Sequence, residues 1–390
     1  MIADILCFDP AISGPACEAW TKLPQDRQFQ ILRFADRAGV SLHIWCNACM
    51  HGLGGKLAHA EQYRERRRKN EIRLEIRRHK AAELAGLFAK AGLRTAILKG
   101  FLMAPDFVPV AADRLQNDID FLFSPADARS AFQLLQQQAY KPFAEEPEGA
   151  MVHLPMLLPP NFVRKGPDYF HPETQPVVEL HDMLWTNEFE RIPIAFTPDP
   201  LSRIVWRTVE RDRLPALHPL DQLAACTLHA MRHIFHGSLR ASHLYELAGF
   251  LENHAKDDAF WKSWIAEVNA PLRGLCTCGF ALATRVFHCR WPAALDDERN
   301  ALPAKVRRWI ARHGLVVIDR DHRGKEQVLL QLAFVHGFSN KIVVLQRRLA
   351  PMRIPAEAAG PGGKRFLLRR AWFHFVTFFK FLRLAVGQWL

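Results

Sequence analysis

Between Asp118 and Phe123 the chain alternates without a break: Asp118, Asp120 and Leu122 fall on one face, and Ile119, Phe121 and Phe123 on the other. Period two over six residues predicts a strand with one face on a core. Thr95–Leu98 predicts a second, short buried strand. Residues 177–183 predict a third, with Glu179 and His181 opposite Val178 and Leu180. Pro172 and Pro176 keep the segment before it out of a sheet interior, and 149–158 is a further strand candidate. Ser124-Pro125-Ala126-Asp127 combines an N-cap residue, a first-turn proline and an early acid, so a helix should run to about Gln138. Residues 95–140 thus read as strand, short helix, strand, helix.

Elsewhere the pattern is helical. Residues 61–91 predict the longest helix, with Ile72, Ile76, Leu84, Leu87 and Phe88 as its core face, the arginines in water, and Ala91-Gly92 as its stop. Before it, 17–60 predict short helices interrupted at Gly39 and at 52–55, with Trp20, Phe29, Leu32 and Phe34 offering apolar contacts. The chain is expected to become helical again after Phe196. Helices are predicted over 219–236 and 238–250, with a break at Gly237-Ser238, then over 258–268, 272–287, 301–313 and 325–349. Pro351, Pro355, Gly360, Pro361 and a glycine pair make 350–364 a linker. The fold class is α+β: a mixed β-sheet core embedded between N-terminal and C-terminal helical regions. The expected divisions are an N-terminal helical region (1–94), an α/β core (95–200), a C-terminal helical domain (201–349), and a loop with an aromatic, basic tail (350–390).

Composition narrows the classes. With 49% hydrophobic and 24% charged residues, a wholly disordered chain is excluded. The 52 Lys/Arg against 40 Asp/Glu favour anionic partners. The excess is local: 341–390 hold ten Lys/Arg and one acid, and 61–80 nine Lys/Arg and four Glu. No zinc-finger, RNA-recognition or helix-turn-helix pattern accompanies it. Cys46-Asn47-Ala48-Cys49, near His43 and His51, has ligand spacing, but no second such pair exists and buried thiols are expected. The N-terminus lacks the features of a secretory leader, and no run of 18 uncharged apolar residues occurs, so a cytoplasmic enzyme is expected. In the tail, Phe373, Phe375, Phe378, Phe379, Phe381, Leu382 and Leu384 are interrupted by Lys380 and Arg383 and flanked by Arg365, Arg369 and Arg370. A terminal helix docked on the body is expected; contact of 366–390 with an anionic membrane surface is the alternative.

The chemistry concentrates in Leu98-Lys99-Gly100, Asp118-Ile119-Asp120 and Glu179-Leu180-His181. Two acids two positions apart on a strand put their Cα atoms roughly 6–7 Å apart on one face. Carboxylates that close repel, and a divalent cation removes the penalty. With Glu179 on a neighbouring strand, a three-carboxylate site results. It suits nucleotidyl or phosphoryl transfer, with one or two Mg²⁺ neutralising a triphosphate. Gly100 would let a phosphate approach the backbone, and Lys99 and Arg114 would neutralise β- and γ-phosphates. His229 and His233 share a helix face, with His236 nearly on it and Arg232 and Arg240 nearby, and are expected to contact the triphosphate or the acceptor.

These motifs resemble the bacterial uncharacterised nucleotidyltransferase family of the DNA-polymerase-β-like nucleotidyltransferase superfamily. The resemblance rests on Leu98-Lys99-Gly100, Arg114, Asp118-Ile119-Asp120, Glu179-Leu180-His181, and on His229 and His233 ahead of Leu244-Tyr245-Glu246-Leu247. Asn117 stands where the family has a small residue, and Glu179 where it more often has Asp. The resemblance implies a nucleotidyltransferase-like sheet and an enzyme that moves an NMP from an NTP, ATP preferred, to an unidentified hydroxyl acceptor. Two Mg²⁺ would be held by Asp118, Asp120 and Glu179. A small molecule, peptide or protein acceptor is preferred to nucleic acid. A phosphotransferase at the same site and a non-catalytic nucleotide-binding scaffold are the competing readings.

Overall fold

The computed structural model describes residues 1–143, 152–162, 168–319 and 325–349, together with 368–369, 371–376, 378–379 and 381–383 of the tail. Five helices open the chain: α1 (Ile2–Ile5), α2 (Pro10–Thr21), α3 (Gln25–Ala38), α4 (Ser41–Met50) and the 31-residue α5 (Ala60–Lys90). The core follows as β1 (Ala96–Ile97), a 3₁₀ turn at Gly100–Met103, β2 (Asp118–Leu122), α6 (Pro125–Gln137), β3 (Lys141–Pro142), β4 (Leu157–Leu158), β5 (Val177–His181), α7 (Asn187–Glu190), β6 (Val205–Val209) and β7 (Asp212–Ala216). The rest is helical: α8 (Pro219–His236), α9 (Ala241–His254), α10 (Asp258–Glu267), α11 (Ala270–Phe287), α12 (Asp296–Ala301), α13 (Ala304–His313), α14 (Glu326–Phe334) and α15 (Phe338–Leu349). A mixed sheet flanked by N- and C-terminal helices is the α+β architecture expected.

The sheet order is β3-β4-β5-β2-β1-β7-β6. β2 pairs parallel with β5, and β1 pairs antiparallel with β2 and parallel with β7. Parallel partners need a crossover; between β2 and β5 it contains α6, capped where expected by Ser124 Oγ accepting from Asp127 N. Ile119, Phe121, Val178 and Leu180 pack in one core with Ala81, Leu84, Ala85 and Phe88 of α5 and Ala128, Ala131 and Leu135 of α6. Phe88 meets Phe121 and Phe123 edge to face, with centroids 5.2 and 5.0 Å away. Alternation along β2 and β5 therefore turns the acidic positions to the opposite face of the sheet.

Several local expectations give way to tertiary context. After Phe196 the chain forms the β6–β7 hairpin rather than helix, and the hairpin extends the sheet beyond β1. Its two-residue turn uses Glu210 at φ +54°, where glycine or asparagine is the usual signal, and Pro215 lies inside a strand. The helix predicted at 301–313 forms as α13 from Ala304, with the short α12 before it, and that at 325–349 is divided at Val335–Gly337. Of the 149–158 candidate, the described part supplies β4 and a bridge from His153 to His181. The linker at 350–364 lies outside the described residues. In the tail, Phe381 is buried in the main helical core, while Trp372, Phe373, Phe375, Phe378 and Phe379 are exposed. Among the described residues no helix is long and apolar enough to cross a membrane. Cys46 is half-buried beside Asp113 and Cys49 is exposed; burial pushes both thiols up, and neither joins a metal-liganding group among the described residues.

The largest correction concerns α5. Ile72 and Ile76, expected in the core, are 38% and 41% exposed, whereas Arg73 and Arg77 are 1% and 0% exposed. The arginines are buried because they satisfy backbone carbonyls around the sheet. Arg73 donates through Nη2 to Gln116 O (3.1 Å) and Asn117 Oδ1 (2.9 Å), and through Nη1 to Tyr169 O. Arg77 donates to Arg73 O and Thr174 O, both at 3.2 Å. Burial pushes Arg73 down to about 10 and Arg77 down to about 9, which leaves both charged at neutral pH. Neighbouring α5 residues hold the same loop: Asn70 donates to Ala112 O (2.7 Å) and Arg114 O (2.9 Å), and Arg67 pairs with Asp113 (2.9 Å). Removing a donor from a buried carbonyl costs about 1–3 kcal/mol for each group left unpaired, whereas exposed substitutions stay within about 0.5 kcal/mol. Urea unfolding should therefore show Ile72→Glu and Ile76→Glu close to wild type, and Arg73→Met and Arg77→Met markedly destabilised. The reverse ranking would refute this account of α5.

Candidate functional site

β2 and β5 run in register, so Asp120 lies directly beside Glu179, and Asp118 beside Val177. Asp118, Asp120, Glu179 and His181 project from the face opposite the Phe88 core. Asp120 and His181 are each 3% exposed. His181 Nε2 lies 3.0 Å from Asp120 Oδ1 and 3.5 Å from Glu179 Oε2. His153, bridged to His181 across the sheet, puts Nε2 3.8 Å from Glu179 Oε2. Leu98 N donates to Asp120 O, which carries the chain so that Lys99 Nζ reaches to 3.3 Å from Asp120 Oδ1.

The donor atoms of Asp120, Glu179 and His181 all lie within 4.8 Å of one another. Asp118 stands outside that tight group but within its electrostatic reach. Burial, then the charges of Asp120 and Glu179, push the Asp118 carboxyl up to about 6. Burial also opposes the charge of Asp120, but Lys99 and the His181 hydrogen bond outweigh it and hold this carboxyl well below the usual range. Lys99 is raised: burial acts against its charge, and Asp120, Asp118 and Glu179 overcome it. Lys99 and Arg114 offset the cost of charging Asp118 only in part. Two carboxylates and an imidazole, with a third carboxyl beside them, fit a divalent cation.

Arg114, expected at the phosphates, donates through Nε to Glu246 Oε1 of α9 at 2.8 Å. Burial opposes its charge, while Glu246 and Asp118 hold its value above the ordinary one. The pair ties the loop before β2 to the helical half. Gly100 has φ +78°, and a Cβ there would overlap the side-chain amide of Gln116. That amide donates to Asp118 O at 2.8 Å. Gly100 thus serves the position of β2 through Gln116 and the backbone conformation.

His229 and His233 face the same region from α8. Their companion is His243, from the first turn of α9; His236 instead lies 2.6 Å from Glu190 Oε1, away from them. Ring centroids are separated by 4.5 Å (His229–His233), 4.7 Å (His229–His243) and 4.9 Å (His233–His243). Burial, with Lys99 among the charges acting on all three, holds these imidazoles below the usual histidine range. Arg232, 8% exposed, has an Nη1 without a hydrogen-bond partner and lies within the field of Glu190, Glu179 and Asp120. Next to the loop before β2, a cavity of about 370 Å³ is lined by Leu115, Asn117, Tyr169, Arg240 and Ser242, among others.

Sequence reasoning missed His153, His243, Gln116 and the arginines of α5 as parts of this region. His243 follows a helix break, where no spacing rule links it to His229; His153 is paired only through sheet geometry. Glu179-x-His181 was legible, because alternation alone puts both on one face.

Residues 25–288 match the family described as uncharacterised nucleotidyltransferase, and the chain belongs to it: a bacterial family of the DNA-polymerase-β-like superfamily. No curated protein and no solved structure matches the chain.

Two outcomes follow for stability. Gly100→Ala meets both a left-handed φ and the Gln116 amide, and should cost about 1–3 kcal/mol in chemical unfolding. Placing it on a Gln116→Ala background should recover part of that loss, since the overlap goes and the φ strain stays. Asp118 behaves oppositely. Its folded value of about 6 lies above the ordinary 3.8, so its contribution to stability is complete below pH 3.8 and is lost as pH rises through 6. In chelator-containing buffer, Asp118→Asn should melt higher than wild type at pH 8, with the difference shrinking between pH 6 and pH 4.

Proposed function

We propose that the protein is a Mg²⁺-dependent nucleotidyltransferase that moves an NMP from an NTP, with ATP the preferred donor, to a hydroxyl on a small molecule, peptide or protein. The observation that carries this reading is the in-register pairing of Asp120 with Glu179 on parallel strands, with Asp118, its carboxyl raised by burial and by these acids, two residues earlier on the same face. Asp118, Asp120 and Glu179 would hold the ion. Mg²⁺, when bound, neutralises a triphosphate and makes an acceptor hydroxyl more acidic.

The chain's own residues do the rest. His181 and Lys99 hold the Asp120 carboxylate from two sides, at 3.0 and 3.3 Å. Lys99 and Arg114 place positive charge where phosphate oxygens would gather, and Arg232 has an unpartnered Nη1 to offer. Glu179, with His181 and His153 close to its Oε2, is placed to take the acceptor's proton. The acceptor oxygen then bonds to the α-phosphorus, the bond to the bridging oxygen of the β-phosphate breaks, and pyrophosphate leaves. The cavity beside Asn117 and Arg240 has room for an acceptor of modest size.

The test uses ATP labelled at the α- or the γ-phosphate, incubated with the protein, Mg²⁺ and a lysate that supplies acceptors. Label should pass to product from the α position alone, and Asp118→Asn, Asp120→Asn and Glu179→Gln should each lower transfer by about 10²-fold or more while remaining folded. Transfer from the γ position alone would establish a phosphotransferase instead. Calorimetric binding of a non-hydrolysable ATP analogue with no transfer in any lysate would favour the scaffold reading.

A further inference from the structure

The histidines of α8 and α9 form a group that the proposed transfer chemistry does not require. His229 and His233 are one turn apart on α8, and the chain reverses through Gly237–Arg240 so that His243 returns to the same face. One ring nitrogen from each lies within 4.8 Å of the others. His243 Nδ1 is buried and has no hydrogen-bond partner, so it is available to a ligand. His233 Nδ1 lies 2.9 Å from Ser238 Oγ, which orients the ring and leaves Nε2 as its outward nitrogen. A histidine that ligates through one nitrogen commonly has its other nitrogen held this way. The three residues are partly exposed, and three imidazoles leave the fourth ligand of a tetrahedral ion to be supplied from outside the group.

We propose that His229, His233 and His243 form a second metal site, specific for a late first-row divalent ion of the Zn²⁺ type, separate from the carboxylate site. Three imidazoles and no carboxylate discriminate against Mg²⁺ and Ca²⁺, which take oxygen ligands. Tetrahedral bonds of about 2.0–2.1 Å need donor nitrogens roughly 3.3 Å apart. Donors already within 4.8 Å reach that spacing by small rotations of the rings. The two groups share no residue: His229, His233 and His243 belong to α8 and α9, and Asp120, Glu179 and His181 to the sheet. The ion's open position would receive water or an oxygen of the acceptor. This assignment takes the place of direct triphosphate contact by His229 and His233, and it holds whichever group the carboxylate site transfers.

The test is direct titration of the chelator-treated full chain with Co²⁺, followed by competition with Zn²⁺, in the absence of nucleotide. Wild type should bind one Co²⁺ with the intense visible bands of a tetrahedral or five-coordinate nitrogen site, and Zn²⁺ should displace it. Circular dichroism should show His229→Gln and His243→Gln folded, and both should lose the bands. Ser238→Ala should keep them with affinity lowered about 10–100-fold, as for other partners that hold a ligating ring. An Asp118→Asn, Asp120→Asn double variant should retain the bands, which separates this site from the carboxylates. Absence of the bands in wild type, their survival in both histidine variants, or strong near-ultraviolet thiolate bands pointing to Cys46 and Cys49 would overturn the proposal.

Discussion

Acids held beside one another on parallel strands are the constraint around which this molecule is arranged. Asp120 and Glu179 pair in register, with Asp118 two residues before; Asp120 is buried and the other two are partly so. Like charges that close are tolerated only if cations or donors surround them. The chain supplies Lys99 on Asp120, His181 between Asp120 and Glu179, and Arg114 on the flank, while burial and the neighbouring acids still raise Asp118. A core that neutralised every acid would be more stable and would have no use for an added cation.

Keeping that arrangement in place falls to α5. It packs its Ala81–Leu84–Phe88 stripe beneath the sheet and sends Asn70, Arg67 and Arg73 to the loop that leads into β2, and Arg77 to Thr174 ahead of β5. Loop carbonyls near a buried site need donors, and a guanidinium can serve several at once. From the other side, Glu246 of α9 holds Arg114. The loop of residues 110–117 is thus clamped between the first long helix and the C-terminal helices, and Gln116, wedged against Gly100, passes that position to the backbone of Asp118. The geometry of the acids is therefore a property of the whole chain and not of the two strands alone.

The chain carries two groups of candidate ligands of different chemistry among the described residues: two carboxylates with His181 on the sheet, and three imidazoles on α8 and α9. Ligand type is what distinguishes hard from borderline ions. Two residues of α8 that sequence spacing would group together are separated by the fold: His233 joins His229 and His243, while His236, three residues on, is drawn to the buried Glu190, which also receives Gln331 and Arg348.

What the sequence alone determined is local and periodic. Alternation placed Asp118, Asp120, Glu179 and His181 on shared faces, Ser124-Pro125 started α6, and the apolar spacing at 219–236 gave α8 to the residue. These follow from backbone geometry, which needs no partner to operate. The remainder depended on which surfaces meet. Arg73 and Arg77 displaced Ile72 and Ile76 from the interior because distant carbonyls required donors, a need invisible within α5. Strands β6 and β7 formed through pairing with each other and with β1, against the signals of Glu210 and Pro215. His243 and His153 joined their partners only because a helix reversal and a strand bridge brought them there. Periodicity reports which face a residue occupies; only the packed structure decides what that face meets.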